Sequence, residues 1–139
     1  MSVRHAHEAL RERLLAVSGV SDITGTIKPW TLWRSDELPA VTYQQILRDG
    51  EWTYDGALDF KRAQYQLSCW SGDFDQSRDL AHEVARALDG YHDEQHGDVY
   101  LHSIRVEDVS DMSAEPDAGE EQPPYGVRVD VSVNYERTS

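Results

Sequence analysis

The segment VRVDVSVNY, residues 127–135, decides the fold class of this 139-residue chain. Valine or tyrosine occupies every odd position and a polar residue every even one, so the apolar side chains share one face of an extended strand. Such alternation is typical of a sheet with one covered and one solvated face. The segment therefore predicts a sheet against which other elements must pack.

Similar alternation predicts further strands upstream, at residues 40–47, 59–70 and 99–109, with a weaker candidate at 23–27. Two segments instead repeat apolar residues every three or four positions, as helices do. The first helix begins near Val3 and ends at Gly19. The second begins at Asp73, with Gln76 completing a capping box, and ends at Gly90. Its predicted inward residues are Ser77, Leu80, Ala81, Val84, Ala85 and Leu88.

These elements predict one α+β domain spanning residues 1–139. We expect a mixed or antiparallel sheet of four to five strands with two helices on one face, in the order α-(β)-β-β-α-β-β.

The net charge of −13 argues against binding to a phosphate backbone. The longest apolar run, residues 14–17, is far shorter than a membrane span, and the N-terminal residues lack the apolar stretch of a signal peptide. The single cysteine, Cys69, fits a reducing compartment.

Three segments do not follow either period. Residues 28–39 predict an irregular crossing, and residues 48–58 a long connection that projects as an arm, because a tight hairpin needs only two to five loop residues. Residues 107–124 predict an acidic loop. Its default interpretation is a solvated segment, and the alternatives are a channel lining or a segment that becomes ordered on docking. Aromatic residues are enriched at interfaces, so the candidate interface residues are Trp52, Tyr54, Asp55, Trp30 and Trp33, the last two also being core candidates. The candidate acidic residues are Asp111, Glu115, Asp117, Glu120 and Glu121.

Catalytic patterns are weak. His92, His96 and His102 could suggest a metal site, but the first two lie between Gly90 and Gly97, where we expect a solvated turn without helical spacing. Cys69 falls on the inward face of a strand, where a thiol acts as a small apolar group. Glycine-rich phosphate loops and nucleophile elbows are missing from the sequence. We expect no enzyme activity and no cofactor.

Four features occur in an order that resembles a known family. They are LPAVTYQQI at 38–46, WTYDG at 52–56, AQYQLSCW at 63–70, and a helix carrying Leu80 to Gly90. Together with the N-terminal helix and the last strand, they resemble the tail terminator (tail completion) proteins of long-tailed bacteriophages, prophages and gene-transfer particles. The acidic loop at 107–124 is longer than this family leads us to expect.

The resemblance implies a structural virion protein without catalytic activity. Copies of the chain would form a ring, commonly of six, that ends the tail tube at its head-proximal end and joins it to a head or neck connector protein. DNA would pass through the central channel without specific binding, and assembly would take place in the host cytoplasm. An acidic channel wall would let DNA slide, since clustered basic residues would hold its phosphates.

Three alternatives remain at this point. The chain could be a neck component on the head side, an adaptor or stopper of the same particle. It could be a small intracellular α+β module that binds a ligand, which would require a buried apolar pocket. It could also be a metallo-hydrolase that uses His92, His96 and His102, which would require a bound metal.

Overall fold

A computed structural model of the chain describes residues 3, 5–29, 37–53, 56–112 and 125–137, and for residues 47–53 and 56–60 it describes the backbone only. Helices and strands within these residues are α1 (Ala6–Ala16), α2 (Ser18–Ser21), β1 (Thr26–Pro29), β2 (Ala40–Thr53), β3 (Gly56–Ser71), α3 (Phe74–Leu88), β4 (His92–His96), β5 (Val99–Met112) and β6 (Tyr125–Arg137). Among these helices, none is long and apolar enough to cross a membrane.

All the described strands form one sheet, in the order β1-β2-β3-β6-β5-β4. The pair β1–β2 is parallel, and every other neighbouring pair is antiparallel. The α+β class is confirmed, but the expectation of four to five strands is wrong, because the described residues alone form six. The strand order also differs, since β4 was not expected and the weak N-terminal strand lies at Thr26–Pro29 rather than 23–27.

The alternation in the central strands has the predicted result. Tyr65 pairs with Val131 and Leu67 with Val129, so the apolar residues of β3 and β6 lie side by side on one face. These side chains are buried in one core cluster with residues of α1 and α3. One face of the sheet is therefore covered, and the even-numbered polar residues of β6 lie on the other.

Helix α3 begins as the sequence predicts but with a different cap. The Asp73 carboxylate accepts a hydrogen bond from the backbone N–H of Asp75. Gln76 does not complete a capping box; its side-chain oxygen accepts from the Ser71 hydroxyl at 2.6 Å, and that hydroxyl accepts from the Asp73 N–H at 3.0 Å. The inward residues agree with the prediction except that Ala87 is buried where Ala85 was expected. Gly90 follows the helix with a φ of +79°.

The first helix is shorter than predicted. α1 ends at Ala16 because Val17 adopts an extended backbone, and the chain then forms the one-turn helix α2. Gly19 lies inside α2, so it does not end the first helix. The prediction of a single helix up to Gly19 is wrong because α1 and the one-turn helix α2 share one apolar periodicity.

The connection predicted at 48–58 is largely strand. Thr53 at the end of β2 pairs with Gly56 at the start of β3, so the two strands form a long hairpin with a two-residue connection. Its backbone continues beyond Phe60, where the described pairing of β3 with β6 begins. Alternation did not reveal these strands because residues 48–58 mix charged, aromatic and glycine residues, while pairing needs only backbone groups.

The acidic loop predicted at 107–124 also begins as strand. Residues 107–112 belong to β5, which pairs with β6 as far as Met112, and residues 113–124 lie outside the described residues. β4 is likewise a strand where a solvated turn was expected. Four of its five residues are exposed and all five are polar, so no apolar period marks it.

Candidate interaction surfaces

Among the five predicted interface residues, the structure describes only Trp52, and of that residue only the backbone. Trp52 lies near the end of β2, where its backbone pairs with Ala57. Tyr54 and Asp55 form the two-residue connection and lie outside the described residues, as do Trp30 and Trp33. Trp52 therefore lies near the end of the β2–β3 hairpin, and the role of all five residues in an interface stays a prediction.

Among the predicted acidic residues, Asp111 is the one that the structure describes. It lies on β5, and its exposed carboxylate forms an ion pair with the exposed Arg78 of α3. The other four, Glu115, Asp117, Glu120 and Glu121, lie outside the described residues. Asp111 is therefore part of the sheet edge beside α3 rather than of a loop, and its function in a channel or in docking stays a prediction.

The three histidines of the alternative metal site have separate partners. His92 Nδ1 lies 2.8 Å from the Gly90 carbonyl oxygen, and His102 Nε2 lies 3.1 Å from a Glu136 carboxylate oxygen. In the part of the chain that the structure describes, no group of three or more His, Cys, Asp or Glu residues is arranged to hold a metal ion. The structure thus offers the metallo-hydrolase alternative no assembled site.

His96 has a structural role that the sequence did not indicate. Its ring is buried between Glu12 of α1 and Tyr91, each at 2.7 Å from one of its nitrogens. Nδ1 faces the Glu12 carboxylate and therefore donates to it, while Nε2 forms the contact with the Tyr91 hydroxyl. Arg13 lies 4.1 Å from the centre of the Tyr91 ring. This network attaches β4 to α1.

The thiol of Cys69 is fully buried in the core cluster. Burial raises its pKa because the low-dielectric surroundings disfavour the thiolate. A thiol that stays protonated and inaccessible is a poor nucleophile. The interpretation of Cys69 as an apolar core residue is confirmed.

The open face of the sheet carries a strip of paired polar side chains. Trp70 donates from its indole nitrogen to the Thr42 hydroxyl at 2.9 Å. On β6, Arg128 Nε lies 3.4 Å from one Asp130 oxygen, and its guanidinium lies 4.0 Å from Asp108 of β5. A shallow cavity of about 220 Å³ next to this strip is lined by Ile46, Gln64, Tyr65, Glu107, Asp130 and Val131.

Asp130 is held in unfavourable surroundings for a charge. Partial burial raises the pKa of its carboxyl, the nearby Arg128 lowers it, and Asp108 raises it further. A pKa above that of the unfolded chain means that this carboxyl contributes stability in acid and loses that contribution as the pH rises through the folded-state pKa.

We therefore expect Asp130→Asn to raise the free energy of unfolding at pH 7 by less than about 1 kcal/mol, because it removes a poorly solvated carboxylate. The gain should shrink as the pH is lowered toward 4, since the wild-type carboxyl then becomes protonated. Urea denaturation at both pH values measures it. Asp108→Asn, which changes an exposed carboxylate beside the same arginine, is the control. A loss of stability in Asp130→Asn at pH 7 would mean that the Arg128 ion pair dominates.

Comparison with known proteins identifies the family. The model of the family described as Tail completion protein gp17 matches residues 8–135, from α1 into β6. The chain belongs to this family. No curated protein matches it. Membership in the tail completion family makes the chain a structural component of a phage-type tail, part of a virion and assembled with other virion proteins, as the resemblance implied.

A solved structure supports the architecture of this tail completion protein. A chain in the structure titled "Virion of native gene transfer agent (GTA) particle" superposes with a TM-score of 0.68 over 94% of each chain. The two sequences are 15% identical. At that identity the likeness concerns the fold, and the fold covers nearly the whole of both chains.

Proposed function

We propose that copies of this chain form a closed ring, of six subunits, that ends the tail tube and joins it to the head or neck. The observation that carries this proposal is the family match over residues 8–135. The partners are a second copy of the chain, the tail tube protein and a head or neck connector. The ring lies at the head-proximal end of the tail and assembles in the host cytoplasm.

The charge of the chain fits a passage for DNA. Six copies at −13 each carry roughly −78 before screening by salt. Duplex DNA carries one negative charge per ~1.7 Å, so a wall rich in lysine and arginine would retain it by many phosphate contacts. An acidic wall repels the phosphates and lets the genome slide. Asp111 and the acidic residues of 113–124 are the candidates for that wall or for a docking segment.

The tip of the β2–β3 hairpin is the candidate contact with a neighbouring protein. We expect Trp52→Ala combined with Tyr54→Ala to weaken ring or tube association while the fold is retained. Truncating a central aromatic residue often costs about 2 kcal/mol, which weakens an association roughly 30-fold. Native mass spectrometry and binding to purified tail tubes measure the association, and circular dichroism measures the fold.

Tyr125→Ala is a matched control, because Tyr125 is an exposed aromatic residue at the opposite end of β3 and β6 from the hairpin tip. Unchanged association in the Trp52 and Tyr54 double variant would remove the hairpin tip from the interface.

The position in the particle needs a separate experiment. We expect the labelled protein to remain with purified tails, and electron microscopy to show it as a ring at the end of the tube that meets the head. Recovery with filled heads alone would instead support a neck adaptor or stopper. An isolated subunit that is monomeric in solution is compatible with the proposal, since the tube end can act as the template for the ring.

A further inference from the structure

Each edge of the sheet ends in a short strand, and the two short strands pair with opposite ends of their longer neighbours. One row of cross-strand pairs connects Thr26 of β1, through β2, β3 and β6, to Met112 of β5. A second row connects Gly50 of β2, through β3, β6 and β5, to Glu94 of β4. We call the end of the sheet that contains Thr26 and Met112 the lower end, and the end that contains Gly50 and Glu94 the upper end. The short strand β1 therefore lies at the lower end of one edge, and the short strand β4 lies at the upper end of the other edge.

Each short strand leaves part of its neighbour without a described partner. β1 pairs with the first four residues of β2, so residues 44–53 are open on that side among the described strands. β4 pairs with β5 between Val99 and Ser103, and Asp89 accepts from the N–H of Val106 just below it. Within the described part of the chain, the outer side of residues 107–112 pairs with no strand.

We propose that these two edges join head to tail between copies of this chain, with β1 of one subunit against residues 107–112 of the next. In the same joint, β4 of that next subunit lies against residues 44–53 of the first. This inference rests on the proposed ring and deepens it by assigning the surface through which its subunits meet.

Strand direction agrees with this arrangement. Rotation about an axis parallel to the strands preserves their height and direction, as a closed ring requires. β1 runs parallel to β2, and β5 runs opposite to both, so β1 meets β5 as an antiparallel neighbour. β4 meets β2 as a parallel neighbour. The projecting short strand on each edge enters the open length on the other.

Charge also agrees with this arrangement at the lower contact. The open length of β5 contains the exposed carboxylates of Glu107, Asp108 and Asp111, and β1 carries Lys28. At the upper end, β4 has exposed Asp93 and Glu94. The facing length of β2 contains both signs in its sequence, Arg48 with Asp49 and Glu51, so charge does not favour the upper contact. At the lower contact an acidic segment faces Lys28, and such complementarity helps to select the register of an interface.

Each open length also presents an exposed apolar side chain, Val109 at 43% and Ile46 at 52% exposure. The row of cross-strand pairs that contains Pro29 reaches Val109. If two subunits meet without a shift along the strand direction, Pro29 of one subunit therefore lies beside Val109 of the next. Pro29 has no N–H to donate, which limits backbone pairing of β1 to residues 26–28. Short edge strands and a proline at the edge limit unintended extension of a sheet.

Paired cysteines test the lower contact. The row through Lys28 reaches Ser110, so we expect Lys28→Cys and Ser110→Cys to form a disulfide between subunits. Within one subunit these positions are four strand spacings apart, about 19 Å, which is too far for a disulfide. The natural Cys69 is buried and stays out of the reaction.

The expected products are specific. The concentrated full-length protein is oxidised mildly, both alone and with purified tail tubes. Either single variant alone should remain uncoupled, their mixture should give covalent dimers, and the double variant should give a ladder of larger species. Lys28→Cys mixed with His82→Cys, which lies on the exposed side of α3, is the matched control and should give no dimer. Asp108 and Met112 lie on the same sheet face as Ser110, two residues to either side of it. Asp108→Cys or Met112→Cys would therefore couple to Lys28→Cys if the subunits meet with their strands shifted by two residues.

A ladder with any of the three β5 positions supports the joint. If none of the three couples to Lys28→Cys, or if the His82 control couples equally well, the proposed joint is wrong. The proposed function is judged separately, by whether the wild-type protein is found as a ring on tail ends. A ring there without coupling at these positions overturns only the joint, and coupling without such a ring overturns only the proposed function.

Discussion

Gly97→Ala is expected to lower the free energy of unfolding by about 2–4 kcal/mol. Gly97 forms the turn between β4 and β5 with a φ of +57°, a conformation that costs an alanine about 1–2 kcal/mol. An added Cβ would also lie 2.6 Å from the carbonyl oxygen of Val3 and 2.8 Å from its nitrogen. That carbonyl accepts from the Asp98 N–H at 2.8 Å, so the N-terminal backbone would have to move away from the turn.

Urea denaturation measures this loss, and Gly90→Ala separates its two causes. Gly90 has a φ of +79°, but an added Cβ there meets no atom within 4 Å. We therefore expect Gly90→Ala to cost about 1–2 kcal/mol from backbone strain alone. Equal losses in the two variants would contradict a close approach between Val3 and the β4–β5 turn.

His96→Ala is expected to destabilise the protein by about 2–3 kcal/mol. The substitution removes a buried ring and both of its hydrogen bonds, leaving the Glu12 carboxylate and the Tyr91 hydroxyl without that partner. The loss should be visible in urea denaturation as a lower midpoint with an unchanged slope. His92→Ala changes the exposed histidine of the same strand and should cost less than about 0.5 kcal/mol.

A double-mutant cycle with Glu12→Gln isolates the contact between β4 and α1. We expect a coupling free energy of at least about 0.5 kcal/mol between positions 12 and 96, because their side chains are in direct contact. Strict additivity would mean that His96 stabilises the fold through packing alone and that the bond to Glu12 contributes nothing.

Sequence reasoning succeeded where burial imposed a period. The odd residues of 127–135 and the inward residues of α3 lie in the core because each must face the same layer, and that requirement is visible in the sequence. It failed for β4 and for residues 110–112, which extend β5 beyond the predicted strand at 99–109. Both are held by backbone pairing at a sheet edge and leave polar side chains in solvent. It also failed for His96, whose partner Glu12 is 84 residues away.

The features of the candidate interaction surfaces also divide into those that the sequence predicted and those that it did not. The aromatic tip of residues 52–55 and the acidic character of 107–124 were identified from composition, and their functions remain proposals. The staggered edges were not foreseen, because they depend on which strands become neighbours and at what height. Lys28 and Ser110 are 82 positions apart, yet one row of backbone pairs aligns them across the sheet.

By itself the sequence determined the α+β class, the covered face of the sheet and, through its resemblance, the tail completion family. These properties follow from local periodicity and from the order of short segments, both of which are written along the chain. Only the tertiary structure decided the six-strand order, the hairpin at 48–58, the burial of His96 and the offset between the two edges. Those features arise from contacts between distant residues, and backbone hydrogen bonds leave no mark on the identity of the side chains that accompany them.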